Sequence, residues 1–289
     1  MKDNSGKYIV LDGMVKDASE AVSVDSISGR TAYEVLRIIR GVPLFFEDHF
    51  ERLKATINAI SMSPAIKSDL LTDNDYVITA GQLKENIKKL LTANEADMCN
   101  VKIVISEIGS RMSQMIYISK SHYPTQEEAD TGVKTGLLQI ERHNPNAKVL
   151  NQVYIDAVSA KMKEDAYYEL ILVDSNGQIT EGSKSNAFFV RDGSVYTAPG
   201  EFVLKGITRK YVIEACKKAG YQVIEQFVNV NDLPDVEAAF LSGTSIKVLS
   251  ISTVDRIELN SSLNPAIAAI RREYDALLEK YIDDNGKTW

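Results

Sequence analysis

The chain has 289 residues, enough for one large domain or two smaller ones with real cores, and 44% of them are hydrophobic. Its formal net charge of -7 argues against nucleic acid as the main partner, because binding along a phosphate backbone needs a basic face, although a local phosphate pocket remains compatible with it. The two cysteines, Cys99 and Cys216, stand far apart with no Cys-x-x-Cys spacing, so neither a disulfide framework nor a zinc site is suggested and a reducing cytoplasm fits.

In chain order, strands over 8–11 and 14–16 flank Asp12-Gly13, a two-residue hairpin signal. The N-terminal residues carry no apolar signal core, and no apolar run approaches the roughly 18 residues of a membrane helix, so the protein is expected to be soluble and unprocessed. The β-branched and aromatic stretch 33–39 predicts a strand, Gly41 a break, and 43–46 further extended chain. From Glu47 a helix is expected, with Phe50, Leu53, Ile57 and Ile60 at helical spacing and Glu47 and Asp48 in its first turn. A second helix carries Leu83, Ile87, Leu90 and Leu91 on one face, and strands follow over 100–106 and 115–119 around a turn at Gly109. Residues 1–120 thus form a small α+β domain. The polar, acidic stretch 121–132 reads as a linker.

Residues 133–289 read as a larger α+β domain. Strands are expected over 133–140, 169–173, 178–180, 186–190, 194–197 and 237–241, and helices over 152–164 and 208–219. An amphipathic helix over 265–282 closes the chain, with Ile267, Ile270, Tyr274, Leu277 and Leu278 as its buried stripe.

Five segments carry chemistry. Lys148 lies in a loop between a strand end and a helix, a common place for a site, whereas a lysine taken without context is ordinarily a solvated surface residue. Lysine can form a Schiff base with a carbonyl, and near a phosphate and a pyridinium it would be desolvated enough to act as nucleophile and proton carrier. Glu181, next to Gly182, offers a carboxylate for a pyridinium nitrogen; alone it would pass for a turn glutamate. Gly206-Ile207-Thr208-Arg209 opens a helix with Thr208 as the expected N-cap, and the free N–H groups of a helix start bind anions. Gly243, Thr244 and Ser245 follow an apolar strand and can add N–H and hydroxyl donors, though a plain polar turn has the same composition. Arg52, on the first helix, can grip a phosphate with its planar fork; its bland reading is a surface arginine paired with Asp48 or Glu51, and His49 reads as structural. Taken together these residues read as a pyridoxal-phosphate site. Gly-x-Gly-x-x-Gly, Walker, His-Glu-x-x-His and Gly-x-Ser-x-Gly motifs are absent, and three scattered histidines make a metal centre unexpected.

The ordered set Tyr33-Glu34-Val35-Leu36-Arg37, Glu47 to Leu53, Lys148, Glu181-Gly182-Ser183-Lys184-Ser185-Asn186, Leu204 to Arg209 and Ser242-Gly243-Thr244-Ser245 resembles the class IV aminotransferases, pyridoxal-phosphate enzymes of fold type IV. They include branched-chain and D-amino-acid aminotransferases and aminodeoxychorismate lyase. The resemblance implies a small and a large α+β domain with the cofactor in the cleft between them, in a homodimer. It implies that Lys148 binds pyridoxal 5'-phosphate covalently and carries protons, that Glu181 meets the pyridine nitrogen, and that Arg52, Ser183, Gly206, Ile207, Thr208, Gly243 and Thr244 hold the cofactor. Tyr33, Arg37, Thr244 and Ser245 would line the substrate side.

For substrate the motifs divide. Asn151 and the Glu-Gly-Ser-x-Ser-Asn segment are similar to D-amino-acid aminotransferases, and Ser242 to Ser245 to branched-chain ones. The Arg-x-His pair that serves the carboxylate in D-specific enzymes is absent from 106–111, the usual Asp-Arg-Gly segment is replaced over 25–33, and Lys247 stands where an acidic residue is common. The expectation is a cytoplasmic aminotransferase for small, aliphatic or branched-chain L-amino acids, with 2-oxoglutarate as second substrate. The alternatives are a D-amino-acid aminotransferase, a lyase eliminating pyruvate, and a cofactor-binding homologue without turnover.

Overall fold

The structure, a computed structural model, describes residues 3–20, 31–61, 78–108, 111–141, 145–149 and 151–289. The altered stretch 25–30 and the turn expected at Gly109 lie outside the described residues. The chain divides into two compact units. One comprises Met1–Ser121, Ala147–Leu150 and Lys280–Trp289; the other His122–Asn146 and Asn151–Glu279.

In the first unit, β1 (Tyr8–Leu11) and β2 (Met14–Asp17) form the expected hairpin, with Asp12 and Gly13 at φ 49° and 81° as a primed turn requires. Strand β3 (Thr31–Ile39) alternates as a half-buried strand should: Ala32, Glu34, Leu36 and Ile38 are buried, while Tyr33, Val35 and Arg37 face the other way. The extended run expected over 43–46 is shorter. Only β4 (Val42–Pro43) is extended; Phe45, at φ 52°, turns the chain, and Phe46 already opens α1 (Phe46–Ser61). Burial of the Phe46 ring against Phe50 and Trp289, and its N–H donated to the Tyr281 hydroxyl at 3.0 Å, fix that earlier start.

Helix α2 (Ala80–Ala93) begins at a Thr79–Gln82 capping box, and β5 (Cys99–Ile108) and β6 (Arg111–Ser119) complete an antiparallel sheet in the order β2-β1-β6-β5-β3-β4. Leu36, Ile38, Leu53, Ile87, Leu90 and Val101 belong to the core on one face. On the other face Tyr33 packs against a smaller cluster of Ile9, Val104, Met115 and Tyr117.

The second unit opens with a helix inside the stretch read as linker. Thr125 and Glu128 form a capping box for α3 (Gln126–Thr131), which ends at Gly132. Polar composition hid a Thr-x-x-Glu signal. Next come β7 (Val133–Gln139), α4 (Gln152–Asp165), β8 (Glu169–Val173), β9 (Gln178–Gly182), β10 (Asn186–Arg191), β11 (Ser194–Thr197), α5 (Ile207–Lys218), β12 (Val223–Glu225) and β13 (Val228–Asn229). Then β14 (Ala238–Gly243), β15 (Lys247–Val254), β16 (Ile257–Glu258) and α6 (Pro265–Asn285) complete the described chain.

The sheet runs β12-β11-β10-β14-β15-β7-β8-β9-β13, with β16 against β15. Its pairs are antiparallel except β11–β12, β15–β7 and β7–β8, so the fold is α+β. The stripe of α6 consists of Ile267, Ile270, Tyr274, Leu278 and Ile282; Leu277 is only half buried. Strands β12, β13, β15 and β16 were not expected, because in β15 Ser250, Ser252 and Thr253 interrupt the apolar pattern that marks a strand.

Candidate functional site

Lys148 lies between β7 and α4 in sequence, and its backbone is tied into the first unit. Its carbonyl accepts the Tyr33 N–H at 3.2 Å, its own N–H donates to Thr56 Oγ1 at 3.4 Å, and Val149 bridges Ala32. The residue is therefore pinned to the start of β3 and to α1. Its ammonium lies 4.9 Å from the centre of the Tyr33 ring, a cation–π distance.

On the opposite face of β3, Glu34 is fully buried among apolar neighbours and must be compensated. Arg52 Nε and one terminal nitrogen donate to its two oxygens, each at 2.7 Å, and His49 Nδ1 lies 2.8 Å from Oε2. His49 and Arg52 are three residues apart on α1, hence on one helix face. Burial alone would raise the Glu34 pKa; the adjacent Arg52 charge, with hydrogen bonds from Arg52 and His49, reverses this and brings it to about 2. Burial is also the main reason the His49 pKa is lowered, and the positive charges of Arg52 and Lys148 push the same way. With Glu34 ionised and the ring neutral, Nδ1–H is the donor and Nε2 carries the lone pair.

Arg52 is thus not a surface arginine: it is paired with Glu34 across the sheet-helix interface. Arg37 does not stand beside Lys148. It is roughly 13 Å further along β3 than Tyr33, at the 3.3–3.4 Å rise of a strand, with a terminal nitrogen 3.5 Å from Asn100 Oδ1.

In the second unit, Glu181 near the end of β9 is buried, and its Oε2 accepts the Leu204 N–H at 3.0 Å and the Asn186 amide at 3.3 Å. The Asn186 amide also donates to the Leu204 carbonyl at 2.9 Å, so Asn186 holds Glu181 and the approach to α5 together. A Cβ on Gly206 would come within 2.3 Å of Asn186 Oδ1, so any side chain there would displace that asparagine.

The N-cap of α5 is Gly206 rather than Thr208, and no side chain caps the helix, which leaves its first N–H groups available to an anion. Ile207 is the first helical residue and Thr208, also buried, follows it in the first turn. Asn186 pairs across the sheet with Ser242, which brings the end of β14, Gly243 and the Thr244-Ser245 turn beside this cluster. The buried Ser242 hydroxyl has no hydrogen-bond partner. Lys247, after the turn, is paired with Asp275 at 2.8 Å. Ser183 turns its hydroxyl to Glu169, while its carbonyl accepts from Tyr154 at 2.9 Å, so its polar atoms serve the turn itself.

The family model for amino-transferase class IV matches residues 31–254, which include both clusters. The chain belongs to the class IV aminotransferase family. A D-alanine aminotransferase of Bacillus licheniformis is 22% identical over 262 residues, covering 86% of this chain and 88% of the relative. A putative branched-chain-amino-acid aminotransferase of Methanocaldococcus jannaschii is 25% identical over 295 residues, covering 95% of each. The solved branched-chain amino acid aminotransferase of Escherichia coli shares the fold, with a TM-score of 0.80 at 20% identity and 95% of each chain covered.

The cofactor of this aminotransferase family is pyridoxal 5'-phosphate. The residues present fit it: an uncapped helix start beside a glycine with no room for a side chain, and an orphaned buried hydroxyl on Ser242, suit a phosphate, and a buried carboxylate suits a protonated ring nitrogen. Sequence reasoning passed over Glu34 and Asn186. Glu34 was visible as a charge on the core face of an alternating strand, with His49 and Arg52 spaced to answer it.

Proposed function

We propose that this enzyme moves the amino group of a small aliphatic L-amino acid to a 2-oxo acid, 2-oxoglutarate being the expected acceptor. The observation that carries the reading is the placement of Lys148: a lysine fixed by its backbone at two points, with its ammonium against an aromatic ring, is a positioned amine rather than a solvated one. Tyr33 packs in the apolar cluster of Ile9, Val104, Met115 and Tyr117, which supports an aliphatic donor.

When bound, pyridoxal phosphate supplies an aldehyde that accepts the amino group and a ring that withdraws electrons from the substrate α-carbon. Lys148 Nζ would hold the aldehyde end of the cofactor and would carry the proton from the substrate α-carbon. Glu181 Oε2, held by Leu204 and Asn186, keeps the ring nitrogen protonated. The N–H groups of Ile207 and Thr208, with Gly243, Thr244 and Arg52, would hold the phosphate. The reading includes a cytoplasmic homodimer: the two cysteines are buried free thiols, and Val153 and Ile155 expose apolar side chains on α4.

The test is to load the purified protein with pyridoxal phosphate, mix it with a panel of L- and D-amino acids, and follow both the visible absorbance and the keto acid released. Conversion with L-leucine, L-valine or L-isoleucine supports the proposal. Response to D-alanine alone makes it a D-specific enzyme, release of pyruvate from aminodeoxychorismate without an acceptor makes it a lyase, and a spectral change without keto acid means a homologue without turnover.

A further inference from the structure

The second unit contains another buried glutamate beside the segment that bears Glu181, and the reaction described above does not use it. Glu169 opens β8 in step with the core residues Ile171 and Val173 and is 5% exposed. Its Oε1 accepts the Ser183 hydroxyl and the Leu170 N–H, and the Ser185 hydroxyl lies 3.5 Å from Oε2. Both serines belong to the turn between Glu181 and Asn186. The Ser183 N–H also donates to the Leu170 carbonyl at 2.8 Å, and the Gly182 N–H to the Ser185 carbonyl at 2.8 Å, which closes the turn on itself. Gly182 makes this possible: a Cβ there would lie 2.1 Å from the Ser185 hydroxyl. The space that a side chain at position 182 would fill is taken by Ser185.

We infer that Glu169 is the positioning residue for Glu181: by holding Ser183 and Ser185 it fixes the turn whose two ends are joined by the Asn186–Glu181 hydrogen bond, and so sets where the Glu181 carboxylate stands. The inference rests on the proposed role of Glu181 toward the ring nitrogen. The arrangement can accommodate a neutral acid. Burial raises the Glu169 pKa, and the hydrogen bond from Ser183 and the positive charge of Lys184 do not outweigh it. A protonated carboxyl can accept at Oε1 and donate from Oε2, and a glutamine can do the same.

Glu169→Gln, Glu169→Ala and Ser183→Ala are therefore compared with the parent in two forms. In the cofactor-loaded protein, the readouts are the pH midpoint of the visible band and the rate of cofactor loss. In the cofactor-free protein, the readout is hydrogen exchange at the Leu204 amide, which donates to Glu181, relative to core amides of β14. Glu169→Gln is expected to keep the parent midpoint, retention and protection. Glu169→Ala is expected to raise the midpoint by about one pH unit, because a ring nitrogen that loses its carboxylate loses the positive charge that depressed it, to speed cofactor loss about tenfold, and to lose protection selectively at Leu204. Ser183→Ala is expected to move in the same direction by less, and it carries the test if Glu169→Ala does not fold.

Parent-like behaviour of both Glu169→Ala and Ser183→Ala would overturn the inference, as would a Glu169→Gln protein as disturbed as the alanine variant. If the parent takes up no pyridoxal phosphate while the exchange pattern holds, the proposed function fails and the positioning role stands.

Discussion

Glu34 in the first unit and Glu169 in the second are both buried glutamates on the core face of a strand, yet their surroundings shift their pKa values in opposite directions. Glu34 meets two side chains of α1, one a permanent cation, and stays ionised down to a pH of about 2. Glu169 meets hydroxyls and a backbone N–H, and burial raises its pKa. The difference teaches that burial does not decide the charge of a carboxyl; the donor set does. A guanidinium repays the desolvation of a carboxylate, whereas serine hydroxyls suit a carboxylic acid.

The contrast can be broken experimentally. The largest effect is expected from Arg52→Ala, which leaves Glu34 buried without its cation; chemical denaturation should show a loss of about 3–5 kcal/mol, and cofactor retention should fall as well. Unchanged stability would mean that Glu34 finds water or another partner. Gly182→Ala comes next. It drives a methyl into the Ser185 hydroxyl and should cost about 1–3 kcal/mol, read by thermal unfolding.

Acid titration of stability separates the two glutamates by sign. His49, neutral in the fold, begins the loss as the pH falls below its ordinary value of 6.5, since the unfolded chain then binds the proton. The Glu34 contribution is present above its ordinary value of 4.5 and is lost from there down towards about 2. Glu169 acts in reverse: its pKa is raised in the fold, so it favours the fold below 4.5 and loses that contribution as the pH rises. Glu169→Gln removes this dependence. It should change stability at neutral pH by less than about 1 kcal/mol, the smallest effect of the set, and a larger loss would show that the site needs a carboxylate.

Much of the fold could be read directly from local pattern. The hairpin at Asp12-Gly13, the helices α1, α2 and α6 and the strand β8 follow from turn chemistry and from 3.6- and 2-residue periods. What escaped depended on partners distant in sequence. Strand β15 hides its apolar residues among serines whose burial only the assembled sheet explains, and the position of Phe46 as first residue of α1 depends on Tyr281 and Trp289. Among the candidate residues, Lys148, Glu181 and Gly206 stood out because each proposed chemical role admits few residue types. Thr208 was misread as an N-cap because capping statistics describe an isolated helix start, and here Gly206 takes that place while Thr208 is buried in the first turn. Glu34 and Asn186 act through other side chains, and no single-residue rule points to them.

The short segment Ala147–Leu150 belongs to the first unit although the residues before and after it belong to the second, and the last ten residues return to the first as well. Neither unit is therefore an uninterrupted stretch of the gene. A fragment ending at Ser121 would lack Lys148, the Val149 bridge to β3 and the aromatic cover that Tyr281 and Trp289 give α1. Recombination at a boundary near Ser121 would part the amine from the strand that holds it, so an exchange that keeps the two together has to cut after Leu150.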